Sequence, residues 1–242
     1  MMGKWEIEKP ETVRMAQEKR RGMNIFLEIL TFLAVIIAVG IVQSLIMIPL
    51  QMLMTPANND LKLIIMLFSN IGMILVPLGF CKLIQKRNLA TLGFRKKGAF
   101  KEYLLGAATG FLAFSAAVLI CVITGTVKIE GLSETFTMGM FVLFVLGFMI
   151  QGMAEEVLCR GYFMVSLGRR NPMWAAILLN ALVFAAMHLL NDGISVLAFI
   201  NLVLYGIFIS LYFMKRGNIW VAGGFHSVWN LAQGNIYGIL VS

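Results

Sequence analysis

Residues 137–165 read TMGMFVLFVLGFMIQGMAEEVLCRGYFMV, a long apolar stretch interrupted by the charged residues Glu155, Glu156 and Arg160. A helix that crosses a bilayer needs about 20 mostly apolar residues, and this stretch exceeds that length. Charged side chains inside such a helix are energetically costly and usually serve a function. The stretch therefore predicts a transmembrane helix that carries part of a functional site.

The composition of the whole chain extends this prediction beyond one helix. Of its 242 residues, 60% are hydrophobic and 13% are charged. A soluble protein of this size has too little interior for so much apolar surface, whereas a bilayer provides apolar surroundings. Long unbroken apolar runs, rather than short alternating strands, indicate helices that pair their own backbone groups. We therefore predict an all-α, polytopic transmembrane helical bundle.

The apolar runs predict about seven spans, or eight, and the basic residues predict their orientation. The predicted spans are 25–50, 61–81, 103–124, 137–165, 173–190, 194–214 and 218–240.

Lysine and arginine residues gather in alternate connections between these spans. Residues 1–24 contain six and residues 82–102 contain seven, and one pair follows each of the fourth and sixth spans. Because such residues concentrate in cytoplasmic loops, they predict a cytoplasmic N-terminus in the cell membrane. Residues 1–24 are then a cytoplasmic basic tail, and residues 25–242 a single transmembrane domain. The net charge of +8 is spread along span ends rather than gathered in one patch, so we expect membrane lipid and no nucleic acid as a partner.

The fourth predicted helix holds two adjacent acids that the helical periodicity separates. Glu156 and Arg160 are four residues apart, so they share one face and can pair. Glu155 points about 100° away from Glu156. It is left without a local counter-ion and is a candidate general base.

The fifth and seventh predicted helices contain the two histidines of the chain. Phe184 and His188 are four residues apart, and His226 and Asn230 repeat that spacing. Taken singly, an ion pair or a histidine near a helix end is often structural. Their joint occurrence in helices 4, 5 and 7 predicts one shared site.

Three motifs in this order, Glu-Glu-x-x-x-Arg, Phe-x-x-x-His and His-x-x-x-Asn, resemble those of the CAAX protease and bacteriocin-processing family. Those intramembrane endopeptidases are related to the Ras-converting CAAX endopeptidase, and the resemblance covers a protease core at about residues 100–240. It implies hydrolysis of a peptide bond in a membrane-associated peptide or protein.

Carried over residue by residue, the resemblance assigns roles to the motif residues. Glu155 and His188 would activate a water molecule, and His226 and Asn230 would stabilise the oxyanion. Glu156, Arg160 and Phe184 would be supporting residues.

Three alternatives stay open at this point. Glu155, His188 and His226 are a plausible zinc set with water in the fourth position, but there is no HExxH motif and no third histidine, so we favour hydrolysis without a metal or other cofactor. The same buried groups would also suit an ion or proton transporter. Relatives linked to bacteriocin immunity suggest a non-catalytic role as a third reading.

The predicted span limits also carry an expectation about depth. They place His188 about 10 Å nearer the outer face than Glu155, at 1.5 Å rise per residue.

Overall fold

The computed structural model describes residues 7–19, 22–53, 59–134, 136–189, 191 and 194–239. Regular structure within these ranges is helical, with no strand. Residue 190 at the predicted end of the fifth span, residue 240 at that of the seventh, and residues 1–6, 20 and 21 of the predicted tail lie outside the described residues.

The chain folds into α-helices that three short π-helical segments extend. The α-helices are α1 (Glu11–Lys19), α2 (Ile25–Leu53), α3 (Asn59–Ser69), α4 (Ile71–Gly79), α5 (Ala99–Ile123), α6 (Met138–Glu156), α7 (Val165–Gly168), α8 (Met173–Met187), α9 (Val196–Arg216) and α10 (Ile219–Leu231). The π-helical segments are Phe80–Ile84 after α4, Val157–Met164 between α6 and α7, and Ala232–Ile236 after α10. A 3-10 turn at Leu89–Leu92 lies in the loop before α5.

Five helical segments of the described chain are long and apolar enough to cross a membrane. They are Ile25–Leu50, Asp60–Ile84, Ala99–Ile123, Met138–Gly168 and Val196–Arg216, and they correspond to predicted spans one, two, three, four and six. The other two predicted spans are helices but are shorter. Helix α8 has 15 residues, and α10 has 13 before its π-helical extension. The protein is thus a multi-pass membrane protein, and the predicted all-helical polytopic bundle is confirmed.

Glycines bring α10 close to the helices on either side of it. On α5, a Cβ added at Gly110 would lie 3.1 Å from the Cα of Phe225, and on α6 a Cβ at Gly152 would lie 2.6 Å from the Cα of Ser227. Small residues at helix contacts let two backbones approach closely. In a bilayer this close packing drives helix association, because lipid tails are as apolar as the side chains and the hydrophobic effect does not favour contact between helices. Helix α10 is therefore enclosed along most of its length rather than facing lipid.

Adding one methyl group to this contact is expected to destabilise the bundle. A Cβ at Gly224 would lie 3.1 Å from the backbone nitrogen of Ala107 and closer still to the carbonyl oxygen of Tyr103. We expect Gly224→Ala to lower the free energy of unfolding by about 1–3 kcal/mol, because backbone atoms cannot move aside as side chains do. Unfolding in detergent, followed by circular dichroism, measures the change.

Gly40→Ala in α2 is the matched control, since nothing lies within 4 Å of its added Cβ and alanine favours a helix. Equal stability of the two variants would show that the close contact of α5 with α10 contributes nothing.

The loop between α4 and α5 enters the bundle and sets the level at which α10 begins. Leu92 in this loop is fully buried, and a Cβ at Gly161 would lie 2.9 Å from its carbonyl oxygen. The next carbonyl, that of Gly93, accepts a hydrogen bond from the backbone N–H of Ile219 at 2.9 Å. Helix α10 therefore starts at the level of Gly161, inside the bundle.

Helix α1, within the predicted tail, packs on the bundle. Its residues Thr12, Val13 and Ala16 are fully buried. Glu11 forms an ion pair with Arg95 of the loop before α5, and Gln17 donates a hydrogen bond to the carbonyl oxygen of Arg169 at the end of α7. Three of the basic segments identified in the sequence therefore meet at one face of the bundle.

Candidate active site

The acidic pair Glu155 and Glu156 ends α6, where the helix changes to π-helical geometry. Arg160 donates from Nη1 to Oε1 of Glu156 at 3.0 Å, and both side chains are fully buried. Its guanidinium also lies 4.3 Å from the centre of the Phe184 ring, where the face of the aromatic ring attracts a cation. The pairing that the four-residue spacing predicts is therefore present, and Phe184 lies against its cation.

His226 of α10 lies between the two carboxylates. Its Nδ1 is 2.8 Å from Oε1 of Glu156, and its Nε2 is 3.7 Å from Oε2 of Glu155. Because a carboxylate only accepts hydrogen bonds, Nδ1 carries a proton and donates it to Glu156. The Nε2 atom faces Glu155.

His188 also turns its Nε2 toward Glu155, and a backbone carbonyl fixes its orientation. It caps the C-terminus of α8, where its Nδ1 donates to the carbonyl oxygen of Phe184 at 2.8 Å. Its Nε2 then faces Oε2 of Glu155 at 3.9 Å. Phe184 thus fixes the imidazole through its backbone, while its ring packs 4.7 Å from the imidazole centre.

Three polar atoms converge at this point: Oε2 of Glu155 and the Nε2 atoms of His188 and His226. Oε2 is buried and has no hydrogen-bond partner among the described residues. The distances of 3.7 and 3.9 Å exceed a direct hydrogen bond and are the kind that a water molecule bridges. With both Nδ1 atoms protonated, neutral imidazoles offer only lone pairs here. The arrangement therefore favours a water molecule or an additional proton between these groups.

The expected difference in depth between His188 and Glu155 is wrong, because their side chains lie 3.9 Å apart. The fourth span continues to Gly168, three residues beyond its predicted end. Glu155 then lies thirteen residues before that end, and His188 lies fifteen after the start of α8 at Met173. The two residues are at similar distances from the same turn.

Gln151 links Asn230 to Glu155 by hydrogen bonds. It was not predicted as a site residue from the sequence. Asn230 donates from Nδ2 to Oε1 of Gln151 at 3.0 Å, and Gln151 donates in turn to Oε1 of Glu155. Gln151 lies one helical turn before Glu155, and this four-residue spacing is the sequence feature from which Gln151 could have been predicted. Gln151 therefore orients both the acid and the amide.

Tyr205 of α9 was also missed, and a single tyrosine in an apolar helix gives no sequence signal. Its ring centre lies 5.3 Å from the imidazole of His226 and 5.8 Å from the Phe184 ring. Its hydroxyl is buried and has no hydrogen-bond partner within the described part of the chain. Tyr205 therefore closes the α9 side of the site.

Glu155, His188 and His226 are the residues that would hold a zinc ion. Bond lengths of about 2.0–2.2 Å place the donors of a tetrahedral zinc ion roughly 3.4 Å apart, which is shorter than the observed 3.7 and 3.9 Å. Across the described ranges, no group of three histidine, cysteine or acidic residues has metal-binding geometry. The donor separations in this structure are therefore somewhat wider than those around a bound zinc ion.

Comparison with known proteins finds one similar family, over the segment that contains the site. Residues 136–232 match the family model of the Type II CAAX prenyl endopeptidase Rce1-like proteins. No curated protein and no solved structure matches the chain. The matched segment runs from α6 to α10 and contains every residue of the site, and the family implies a protease acting on a peptide in a membrane environment. Residues 136–232 of this membrane protein are therefore similar to the Rce1-like proteins, which agrees with the CAAX protease family that the three motifs resemble.

Proposed function

We propose that this protein is a glutamate-dependent endopeptidase that hydrolyses a peptide bond of a membrane-associated peptide or protein. The observation that carries this proposal is the convergence of Glu155 with both histidines, with Oε2 facing the two Nε2 atoms at 3.7 and 3.9 Å. A carboxylate within reach of a bridging water is positioned to act as a general base.

Hydrolysis proceeds by attack of that water on the scissile carbonyl carbon. His188 holds the water through Nε2. Glu155 accepts a proton from the water while the water oxygen forms a bond to the carbonyl carbon. The carbonyl oxygen becomes an oxyanion, and the carbon–nitrogen bond then breaks as Glu155 returns the proton to the leaving amine.

His226 and Asn230 are the proposed donors to the oxyanion. Because His226 already donates from Nδ1 to Glu156, it can donate through Nε2 only as an imidazolium. In that form its charge and the charge of Arg160 would balance two ionised carboxylates. Asn230 uses one N–H on Gln151 and has a second to offer. Donors fixed before the reaction stabilise developing charge without reorganisation.

A cleavage assay tests this proposal. The protein is purified in detergent and incubated with a library of membrane-anchored peptides, prenylated and unprenylated, and the products are identified by mass spectrometry. We expect cleavage by the wild type and loss of cleavage in His188→Ala. Equal cleavage by both proteins would contradict the proposed mechanism.

A chelator arm of the same assay addresses the zinc-dependent alternative. We expect the rate to be insensitive to 1,10-phenanthroline, since no proposed step passes through a metal. Full inhibition that added zinc reverses would replace the metal-free mechanism with the zinc-dependent one.

Gln151 is expected to affect the rate without contacting the reacting atoms. Gln151→Leu removes the hydrogen bond to Glu155 and the acceptor of Asn230, and a hydrogen bond to a charged group contributes about 1.5–3 kcal/mol. We expect kcat to fall by about tenfold to a hundredfold, with KM nearly unchanged. The control is Gln43→Leu, which removes a side-chain hydrogen bond in α2, far in sequence from the site residues. A change in KM alone would show that Gln151 acts in substrate binding instead.

We also propose that the face at which the basic segments meet is cytoplasmic, in the cell membrane. The support is the packing of α1 against the loop before α5 and against the end of α7. The distribution of Lys and Arg predicts that these three segments all lie on the cytoplasmic side. A reporter fused to the N-terminus that is active only outside the cytoplasm should be inactive.

A further inference from the structure

A cavity of about 890 Å³ lies at the face where the basic segments meet. Five cationic side chains line it, and none of its residues belongs to the site around Glu155. These cations are Lys82, Lys86, Arg87, Arg95 and Lys96, of which Arg95 also forms an ion pair with Glu11 of α1. Among the described residues that line the cavity, none is acidic. A concave surface of one charge sign concentrates ions of the opposite sign, so the cavity suits an anion.

Arg87 lies at this cavity and has no anionic hydrogen-bond partner among the described residues. Its side chain is only 3% exposed. It donates to neutral groups: Nε to Thr91 at 3.2 Å, and Nη1 to Gln85 at 2.9 Å and to Ser166 at 3.0 Å.

The remaining nitrogen of Arg87, Nη2, is buried and has no hydrogen-bond partner in the described chain. Burial is also the main reason that the pKa of the Arg87 guanidinium is lowered. A buried charge that is not compensated is strongly unfavourable. An anion in the cavity that Arg87 lines would offset this charge at short range.

The other wall of the cavity is apolar and adjoins the lipid-facing surface. It includes Leu78 of α4, together with Phe94 and Trp220, whose rings meet edge to face at 5.5 Å. Leu83 and Ile84, at the end of the second span, are 74% and 62% exposed. The cationic residues Lys86, Arg87, Arg95 and Lys96 follow that end in sequence. The cavity therefore has an apolar side near the end of the second membrane span and a cationic side formed mostly by residues that follow that span.

We propose that this cavity binds an anionic phospholipid. The headgroup phosphate lies against Lys82 and Lys86, near the buried charge of Arg87, and the upper part of an acyl chain lies against Leu78 and Trp220. Basic pockets at membrane surfaces recognise anionic headgroups in this way. A free phosphate would satisfy the cations but leave the apolar wall uncovered. This site is independent of the proposed peptidase mechanism.

Lipid titration followed by native mass spectrometry tests the proposal. The full-length protein in detergent is titrated with phosphatidylglycerol and, separately, with phosphatidylcholine. We expect the wild type to retain phosphatidylglycerol preferentially. The double variant Lys82→Gln/Lys86→Gln should bind it about tenfold more weakly, with binding of phosphatidylcholine unchanged.

Matched variants separate a specific site from general charge and from misfolding. Lys62→Gln/Lys128→Gln also removes two cations, outside the cavity, and should bind like the wild type. Lys82 and Lys86 are exposed, so their variant should fold even if Arg87→Gln does not. Equal loss in both double variants would overturn the proposal. Complete displacement of the lipid by inorganic phosphate would also overturn it, since that result assigns the cavity to a free anion.

Discussion

Glu155→Gln is expected to reduce cleavage by about a thousandfold while leaving the fold unchanged. The glutamine side chain has nearly the same shape but cannot accept the proton of the attacking water, and general base catalysis is worth about 10²–10⁴ in rate. Glu155 is partly buried, with 14% of its side chain exposed, and its ion-pair distances to the histidines are long. Its loss should therefore cost little stability. Initial rates on a peptide selected from the library measure the effect.

The control for this experiment is Glu130→Gln, which removes an exposed carboxylate in the loop between α5 and α6. We expect its rate to equal that of the wild type, and melting temperatures of both variants in detergent establish that they fold. A folded Glu155→Gln protein that cleaves at the wild-type rate would exclude Glu155 as the base.

Arg160→Met is expected to have the largest effect on stability. Arg160 and Glu156 are both fully buried and are 3.0 Å apart. Methionine fills part of the space but leaves Glu156 as a buried acid without its cation. Removing one partner of a buried ion pair typically costs about 3–5 kcal/mol. Yield of monodisperse protein after detergent extraction and the unfolding midpoint measure this loss.

The double variant Glu156→Gln/Arg160→Met distinguishes charge from packing. Replacing both partners removes the uncompensated charge, and a glutamine can still accept the hydrogen bond from Nδ1 of His226. We expect the double variant to be more stable than Arg160→Met, since neutral replacement of a buried pair is often tolerated. Stability no better than that of the single variant would assign the loss to packing around Phe184.

An exposed pair provides the matched control for Arg160. Arg14 and Glu8 are 2.9 Å apart with 57% and 87% of their side chains exposed. Pairs of this kind contribute between about 0 and 1 kcal/mol, so Arg14→Met should leave stability nearly unchanged.

Composition and local spacing alone determined the environment of this protein and predicted most residues of its candidate site. An apolar content of 60% requires a bilayer, and a bilayer requires helices, whatever the packing between them. The pairing of Glu156 with Arg160 follows from one helix's periodicity. The three motifs indicated a likeness to the CAAX protease and bacteriocin-processing family without any knowledge of how the helices pack.

Only the tertiary structure decided how those residues meet. The approach of both Nε2 atoms to Glu155, the link through Gln151 to Asn230, and the packing of Tyr205 depend on the depth and rotation of separate helices. These are set by contacts between elements distant in sequence, such as Gly152 with Ser227 and Leu92 with Gly161. Periodicity within a helix fixes which side chains share a face, but it contains no information about the level at which the next helix begins. For that reason the sequence misplaced His188 in depth, and the loop that starts α10 inside the bundle was visible only in the folded chain.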